Sequence, residues 1–179
     1  TLLENLDDIS KITPTLYNPI SPELCLTATV KSLDKIGTSV VDTKADGVRM
    51  QCHTGDTTKF FTRRLEDRTH SLPDMVEAVE QYKELNGVND AIFDFELVAF
   101  DEEKILNRKE VTKRLGKHDI SKKVKEISLK GKIFDILYLD GEPLIEETYI
   151  QRRKILDSFK DTPLFSKTEI YWVSSLEEL

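Results

Sequence analysis

The chain has 179 residues, 39% hydrophobic and 33% charged, enough for one domain with a core or one domain plus a short appendage, and too apolar for a disordered tract. No apolar run approaches the ~20 residues that cross a bilayer, and the opening TLLENLDDIS has no signal-peptide pattern. A net charge of −7 excludes a surface that attracts nucleic acid everywhere, while leaving room for a local basic patch.

Cys25 and Cys52 are the two cysteines. They could form one disulfide, but such sparse use suits a reducing compartment better, so an intracellular protein is expected, cytoplasmic in a prokaryote or nuclear in a eukaryote. Residues 1–24 hold a short amphipathic start and then ITPTLYNPISPELC, whose three prolines predict an extended lead-in from a preceding domain. Ser39 to Val48 and Thr58 to Arg64 are rich in β-branched and aromatic residues and predict strands, joined through a turn at His53-Thr54-Gly55-Asp56.

Ser71 is expected to cap a helix with Pro73 and Asp74 in its first turn. Met75, Val76, Val79, Tyr82 and Leu85 recur along it at helical spacing, as a core face does, and Asn86-Gly87 ends it. In the strand AIFDFELVAFDE, Phe93, Phe95, Leu97 and Ala99 alternate against Asp94, Glu96 and Val98. From Lys104 to Lys132 eleven Lys and Arg face three acids, a +8 segment that reads as a polar, helical surface excursion. Lys132 to Leu139 is a second strong strand closed by Asp140-Gly141. Thr148 with Gln151 forms a capping box for a helix burying Ile150, Ile155 and Phe159, and Ile170 to Val173 is again strand-like. Irregularly interleaved elements without repeats predict an α+β fold with mixed or antiparallel sheets.

Four clusters could carry chemistry. In Asp42-Thr43-Lys44-Ala45-Asp46-Gly47-Val48-Arg49, two cations flank an Asp-Gly turn of exposed backbone, which suits a phosphate or is simply a charged hairpin. To act as a nucleophile Lys44 must lose a proton, and with a free pKa of about 10.4 only on the order of one in a thousand is neutral at pH 7.4. Asp94 and Glu96 share one strand face; if that face is a cleft, Glu96 could accept from a ribose hydroxyl or hold a divalent metal. Phe134 is either core or a stacking platform for a base. Arg63 and Arg64, just past a strand, suit phosphate contacts or ion pairs.

Together their order and spacing resemble ATP-dependent DNA ligases of the archaeal and eukaryotic type, within the covalent nucleotidyltransferases that also include RNA ligases and mRNA capping enzymes. Lys44-Ala-Asp-Gly-Val-Arg49 fits the superfamily's Lys-x-Asp-Gly-x-Arg motif. Thr62-Arg63-Arg64-Leu-Glu-Asp67, Asp94-Phe-Glu96-Leu-Val-Ala and Phe134-Asp-Ile-Leu-Tyr-Leu-Asp-Gly141 are similar to elements of the DNA ligases, and the likeness runs from about residue 18 to 160. It implies a nucleotidyltransferase, ATP-grasp-like core in which Lys44 takes AMP from ATP and expels pyrophosphate. Phe134 would stack on adenine. Asp42, standing where the family usually has Glu, would read the base edge. Arg49 would touch ribose or phosphates, Arg63 the ribose or a phosphate near the nick, and Glu96 the ribose hydroxyl or Mg²⁺. The acceptor would be nicked double-stranded DNA, with the +8 segment as a candidate backbone contact.

After Phe134 the family's Glu-Gly-x-x-x-Lys and Lys-x-Lys motifs do not occur in this sequence, nor does a following OB-fold or a preceding helical DNA-binding domain. The expectation is therefore a partial adenylation domain, residues 25–179 behind a lead-in of residues 1–24, that binds nucleotide weakly and does not seal nicks alone. An RNA ligase or a capping guanylyltransferase is the alternative within the superfamily. A non-catalytic nucleic-acid-binding module is the alternative outside it, and no membrane partner is expected.

Overall fold

The computed structural model describes residues 13–23, 38–102, 104–116, 120–175 and 178. Its elements are β1 (Ser39–Asp42), β2 (Val48–Thr54), β3 (Thr58–Thr62), α1 (Pro73–Asn86), β4 (Ala91–Asp101), β5 (Lys104–Ile105), α2 (Arg108–Arg114), α3 (Ile120–Glu126), β6 (Ser128–Leu139), β7 (Glu142–Pro143), α4 (Tyr149–Ser158), β8 (Phe165–Lys167) and β9 (Ile170–Val173). A seven-stranded sheet runs β3-β2-β4-β6-β7, with β5 on β4 and β8 on β6. All of its pairings are antiparallel except β6–β8. A separate ribbon pairs β1 with β9. This is the expected mixture of helices with mixed and antiparallel sheets.

The core follows from parity. Phe93, Phe95, Leu97 and Ala99 of β4 are fully buried on one face, against Met75, Ala78, Val79 and Tyr82 of α1. Tyr82, Phe93, Phe95, Phe60 and Phe165 meet edge to face, with centroids 5.2–5.9 Å apart, a geometry that aligns ring edges with ring faces. Pro73 starts α1 and Gly87, left-handed at φ 63°, closes it. Thr148 and Gln151 make the capping box of α4, with Thr148 N–H donating to Gln151 Oε1 (2.9 Å).

Several expectations need correction. The strand expected over 39–48 is broken at 43–47, so that β1 and β2 belong to different sheets. Ser71 does not cap α1: Leu72 holds that position, and the Ser71 hydroxyl turns to His70 Nε2 (3.1 Å) and the Leu115 carbonyl (3.4 Å). Leu85 and Ile150, expected in the core, are 47% and 46% exposed, and their buried places are taken by Ala78 in α1 and by Arg153 and Leu156 in α4. The basic stretch is helical only in α2 and α3, its two ends lying in β5 and β6, and it is not wholly polar. Val111 and Arg114 are fully buried, and Arg114 donates to the Ser71 carbonyl and to Asp74 at the start of α1. Cys25 and most of the lead-in lie outside the described residues, whereas Cys52 is a buried free thiol.

Candidate active site

The face of the large sheet opposite the aromatic core carries the charged residues. Arg49 of β2 pairs with Glu96 of β4, which pairs with Lys132 of β6. One step along, Gln51 pairs with Asp94 and Asp94 with Asp135. Residues paired across a sheet point to the same side, so the three strands present two charged rows. Between these rows β6 carries an irregularity: Ile133 pairs with Phe95 and Asp135 with Asp94, leaving Phe134 as the extra residue. A bulge of this kind re-aims a side chain. Phe134 is half-buried under the Arg49 guanidinium, 5.3 Å from Cζ to the ring centroid, so it is not a core aromatic.

Arg49 is held on two sides. Its Nε donates to Asp94 Oδ1 (3.1 Å), its Nη2 to Asp94 Oδ2 (2.7 Å) and its Nη1 to the Glu23 carbonyl (2.9 Å). Burial pushes the Asp94 carboxyl above its ordinary pKa, and the bonds and charge of Arg49 pull it part of the way back. Asp135 is taken up in the same way by Arg152 of α4 (2.7 and 2.8 Å).

The break between β1 and β2 carries Lys44. Gly47 N–H donates to Glu96 Oε1 (3.1 Å), pinning the loop to β4. The backbone of Gly47 is not left-handed, so the Asp46-Gly47 step is a bend and not the tight turn read from the sequence. Glycine is required there because a Cβ would stand 2.2 Å from the Leu97 carbonyl oxygen. Lys44 is exposed. Burial raises the Glu96 pKa, while the Gly47 N–H and then the charges of Lys44, Arg108 and Arg49 lower it, so this carboxylate lies in the field of all three cations.

The sequence-predicted residues separate into two groups. Lys44, Arg49, Glu96 and Phe134 come together around one patch. Asp42 lies at the exposed end of β1, opposite Ile170 in the separate ribbon, and Arg63 is exposed in the turn that leaves β3. Arg63 follows Thr62, which pairs with Met50, so it leaves the sheet at the end where Arg49 and Glu96 lie. Among the described residues neither Arg63 nor Arg64 has a side-chain ion pair. Sequence reasoning misses Asp94 as the partner of Arg49, and Arg108 as a cation acting on Glu96. The shared parity of Asp94 and Glu96 could signal the first, but a contact across 62 residues between Arg108 N–H and Asp46 Oδ2 (3.4 Å) has no local signal.

No group of three or more His, Cys, Asp or Glu that could hold a metal occurs among the described residues.

The profile of the family described as the ATP dependent DNA ligase domain matches residues 22–179. A DNA ligase of Methanocaldococcus jannaschii is 41% identical over 79% of this chain and 25% of its own length. One of Staphylothermus marinus is 34% identical over 98% of this chain and 30% of its own length. The chain thus spans between a quarter and a third of such relatives. The solved structure "mycobacterial DNA ligase D complexed with ATP and MES" superposes with a TM-score of 0.67 at 21% identity, over 87% of this chain and 48% of that one, which makes the fold that of a ligase nucleotidyltransferase domain. By its sequence along nearly its whole length, this chain belongs to the ATP dependent DNA ligase domain family.

Proposed function

We propose that residues 25–179 act as the adenylation core of an ATP-dependent DNA ligase, residues 1–24 leading in from another domain. The Lys44 amine, once neutral, attacks the α-phosphorus of ATP; the N–P bond forms as the bond to pyrophosphate breaks, leaving a lysyl-AMP phosphoramidate. The AMP then passes to the 5′-phosphate at a nick in double-stranded DNA, and the adjacent 3′-hydroxyl displaces it. The observation that carries this reading is the convergence of Lys44, on its loop, with Glu96, Arg49 and Phe134 of the sheet face around one patch, with Gly47 wedged against β4 to hold the lysine loop there.

In this reading Phe134 offers adenine the ring face away from Arg49, and the guanidinium over its other face offers donors to ribose or phosphate. Asp42 stands ready to accept from the base edge, and Arg63 to contact the ribose or a phosphate near the nick. Glu96, with one oxygen engaged by Gly47, has its other oxygen for a ribose hydroxyl or for Mg²⁺. The metal would supply charge neutralisation on the phosphates. Nicked duplex DNA is the acceptor, and the OB-fold and DNA-binding domains typical of such enzymes would complete the grip on it.

Incubation with ATP labelled at the α-phosphate and Mg²⁺ tests this. The expected product is an acid-labile, alkali-stable label that is lost in Lys44→Ala and is not obtained from GTP. Label that survives Lys44→Ala, or that comes from GTP as readily as from ATP, would overturn the reading.

A further inference from the structure

The face that carries Arg49 continues along β2 to Gln51 and His53, and a single stretch of the lead-in runs over all three. Tyr17 N–H donates to His53 Nδ1 (3.0 Å). Ile20 N–H donates to Gln51 Oε1 (3.0 Å), and Gln51 Nε2 donates back to the Ile20 carbonyl (2.5 Å). Three residues further on, the Glu23 carbonyl accepts from Arg49 Nη1 (2.9 Å). Steps of three along the lead-in thus match steps of two along the strand. The middle of the run is locked by a polar chain. Because His53 Nδ1 accepts from Tyr17, its proton resides on Nε2, which faces Gln51 Oε1 at 3.3 Å. His53 is fully buried against the edge of Phe61.

The lead-in does not lie there passively. Tyr17 is left-handed at φ 66°, a conformation that crowds the Cβ of a non-glycine residue. It is held in that state by His53 and by its own hydroxyl, which donates to the Thr57 carbonyl (3.0 Å) and accepts from Thr57 N–H (3.2 Å). Strain of this kind persists where the surroundings over-determine it.

We propose that Tyr17–Glu23 is a strap that positions Arg49 for the nucleotide, with Gln51 and His53 as positioning residues acting through it. Asp94 grips the Nε–Nη2 edge of the guanidinium and fixes its plane. The Glu23 carbonyl grips Nη1 and fixes the tilt of that plane over Phe134. Loosening Gln51 lets the strap lift and the Glu23 carbonyl retreat, so Arg49 keeps its ion pair but loses its third anchor. The inference rests on the proposed reading of Arg49 as a nucleotide contact. It adds that nucleotide affinity depends on a segment outside the motifs, and linkage then requires ATP to order the strap in return.

The test is a double-mutant cycle on ATP affinity in the full chain, with Arg49→Lys, Gln51→Met (similar in size, without the two hydrogen bonds) and the pair. Arg49→Lys is expected to weaken ATP binding about tenfold and Gln51→Met about fivefold. The double variant should be no weaker than Arg49→Lys alone by more than about twofold, because both act through one guanidinium. Effects that multiply, or an unchanged affinity in Gln51→Met while Arg49→Lys is weakened, would overturn the strap and leave the site reading intact. An unchanged affinity in Arg49→Lys, or no ATP binding by the unaltered chain, would overturn the site reading itself. Should Gln51→Met fail to fold, amide exchange of the unaltered chain decides: ATP is expected to slow exchange at Tyr17 and Ile20, and equal rates with and without ATP refute the strap.

Discussion

The two faces of β4 are built from alternate residues of one strand, yet they obey different rules. On the core face Phe93, Phe95, Leu97 and Ala99 are dry and make contacts that any well-shaped hydrophobe could make. On the other face Asp94 and Glu96 are held by named partners, Arg49 and the Gly47 N–H, and Ile92 and Val98, both buried, close off the polar patch at either end. The first face stabilises through area, the second through pairing. A strand so divided lets stability and chemistry be altered separately, and substitutions on either side of it measure how far that separation holds.

The largest effect on folding is expected from the core face. Phe95→Ala removes a ring packed between Phe60 (5.9 Å) and Phe165 (5.4 Å) and is expected to cost about 3–5 kcal/mol in urea unfolding. A loss under about 1 kcal/mol would mean that the aromatic cluster is not the core it looks to be. Next comes the polar face, probed through pH. Burial lowers the His53 pKa to about 4 from an ordinary 6.5. Between those values the unfolded chain binds a proton that the folded chain refuses, so stability is complete above pH 6.5 and falls as the pH drops to 4, by roughly 3 kcal/mol. Replacing His53 by Asn should flatten that part of the profile relative to the unaltered chain. Parallel profiles would remove His53 as the cause. Asp94→Asn is third: it keeps the shape but takes the charge from the Arg49 pair, with an expected cost of about 2 kcal/mol and a weaker grip on ATP.

The parity of β4 is legible in the sequence, because alternation is a property of the chain itself. So are the helix over residues 73–86, whose proline and glycine set its ends, the Thr148 capping box and the motifs whose Lys44, Arg49, Glu96 and Phe134 meet around one patch. Two kinds of feature are not legible there. One is which of several apolar residues on a helix turns inward: Leu85 and Ile150 have the right spacing but face solvent, since only the packed partners decide where the stripe ends. The other is contact between distant segments. The Arg114 latch onto Asp74, the Arg108 contact with Asp46 and the lead-in running over Arg49, Gln51 and His53 all join residues more than twenty-five apart. The Asp46-Gly47 bend shows the same limit. An Asp-Gly pair suggests a turn, but here the glycine answers to the Leu97 carbonyl of another strand.

The smallest effect on folding is expected from Glu96→Gln, and it sharpens the comparison most. Burial raises the Glu96 pKa, so its charge is held at some cost, while three nearby cations offset part of that cost. Glutamine keeps an oxygen to accept from Gly47 N–H and gives up only the charge. The change in unfolding free energy should therefore stay within about 1 kcal/mol. The lysine loop should stay seated, yet labelling of Lys44 by ATP should fall at least tenfold, because in the proposed function the lost charge faces the nucleotide. Unfolding curves and labelling measured on the same sample check this together. If Glu96→Gln destabilised the chain as much as Phe95→Ala, the charged face would be as structural as the core face, and the division of β4 into a packing side and a chemical side would be wrong.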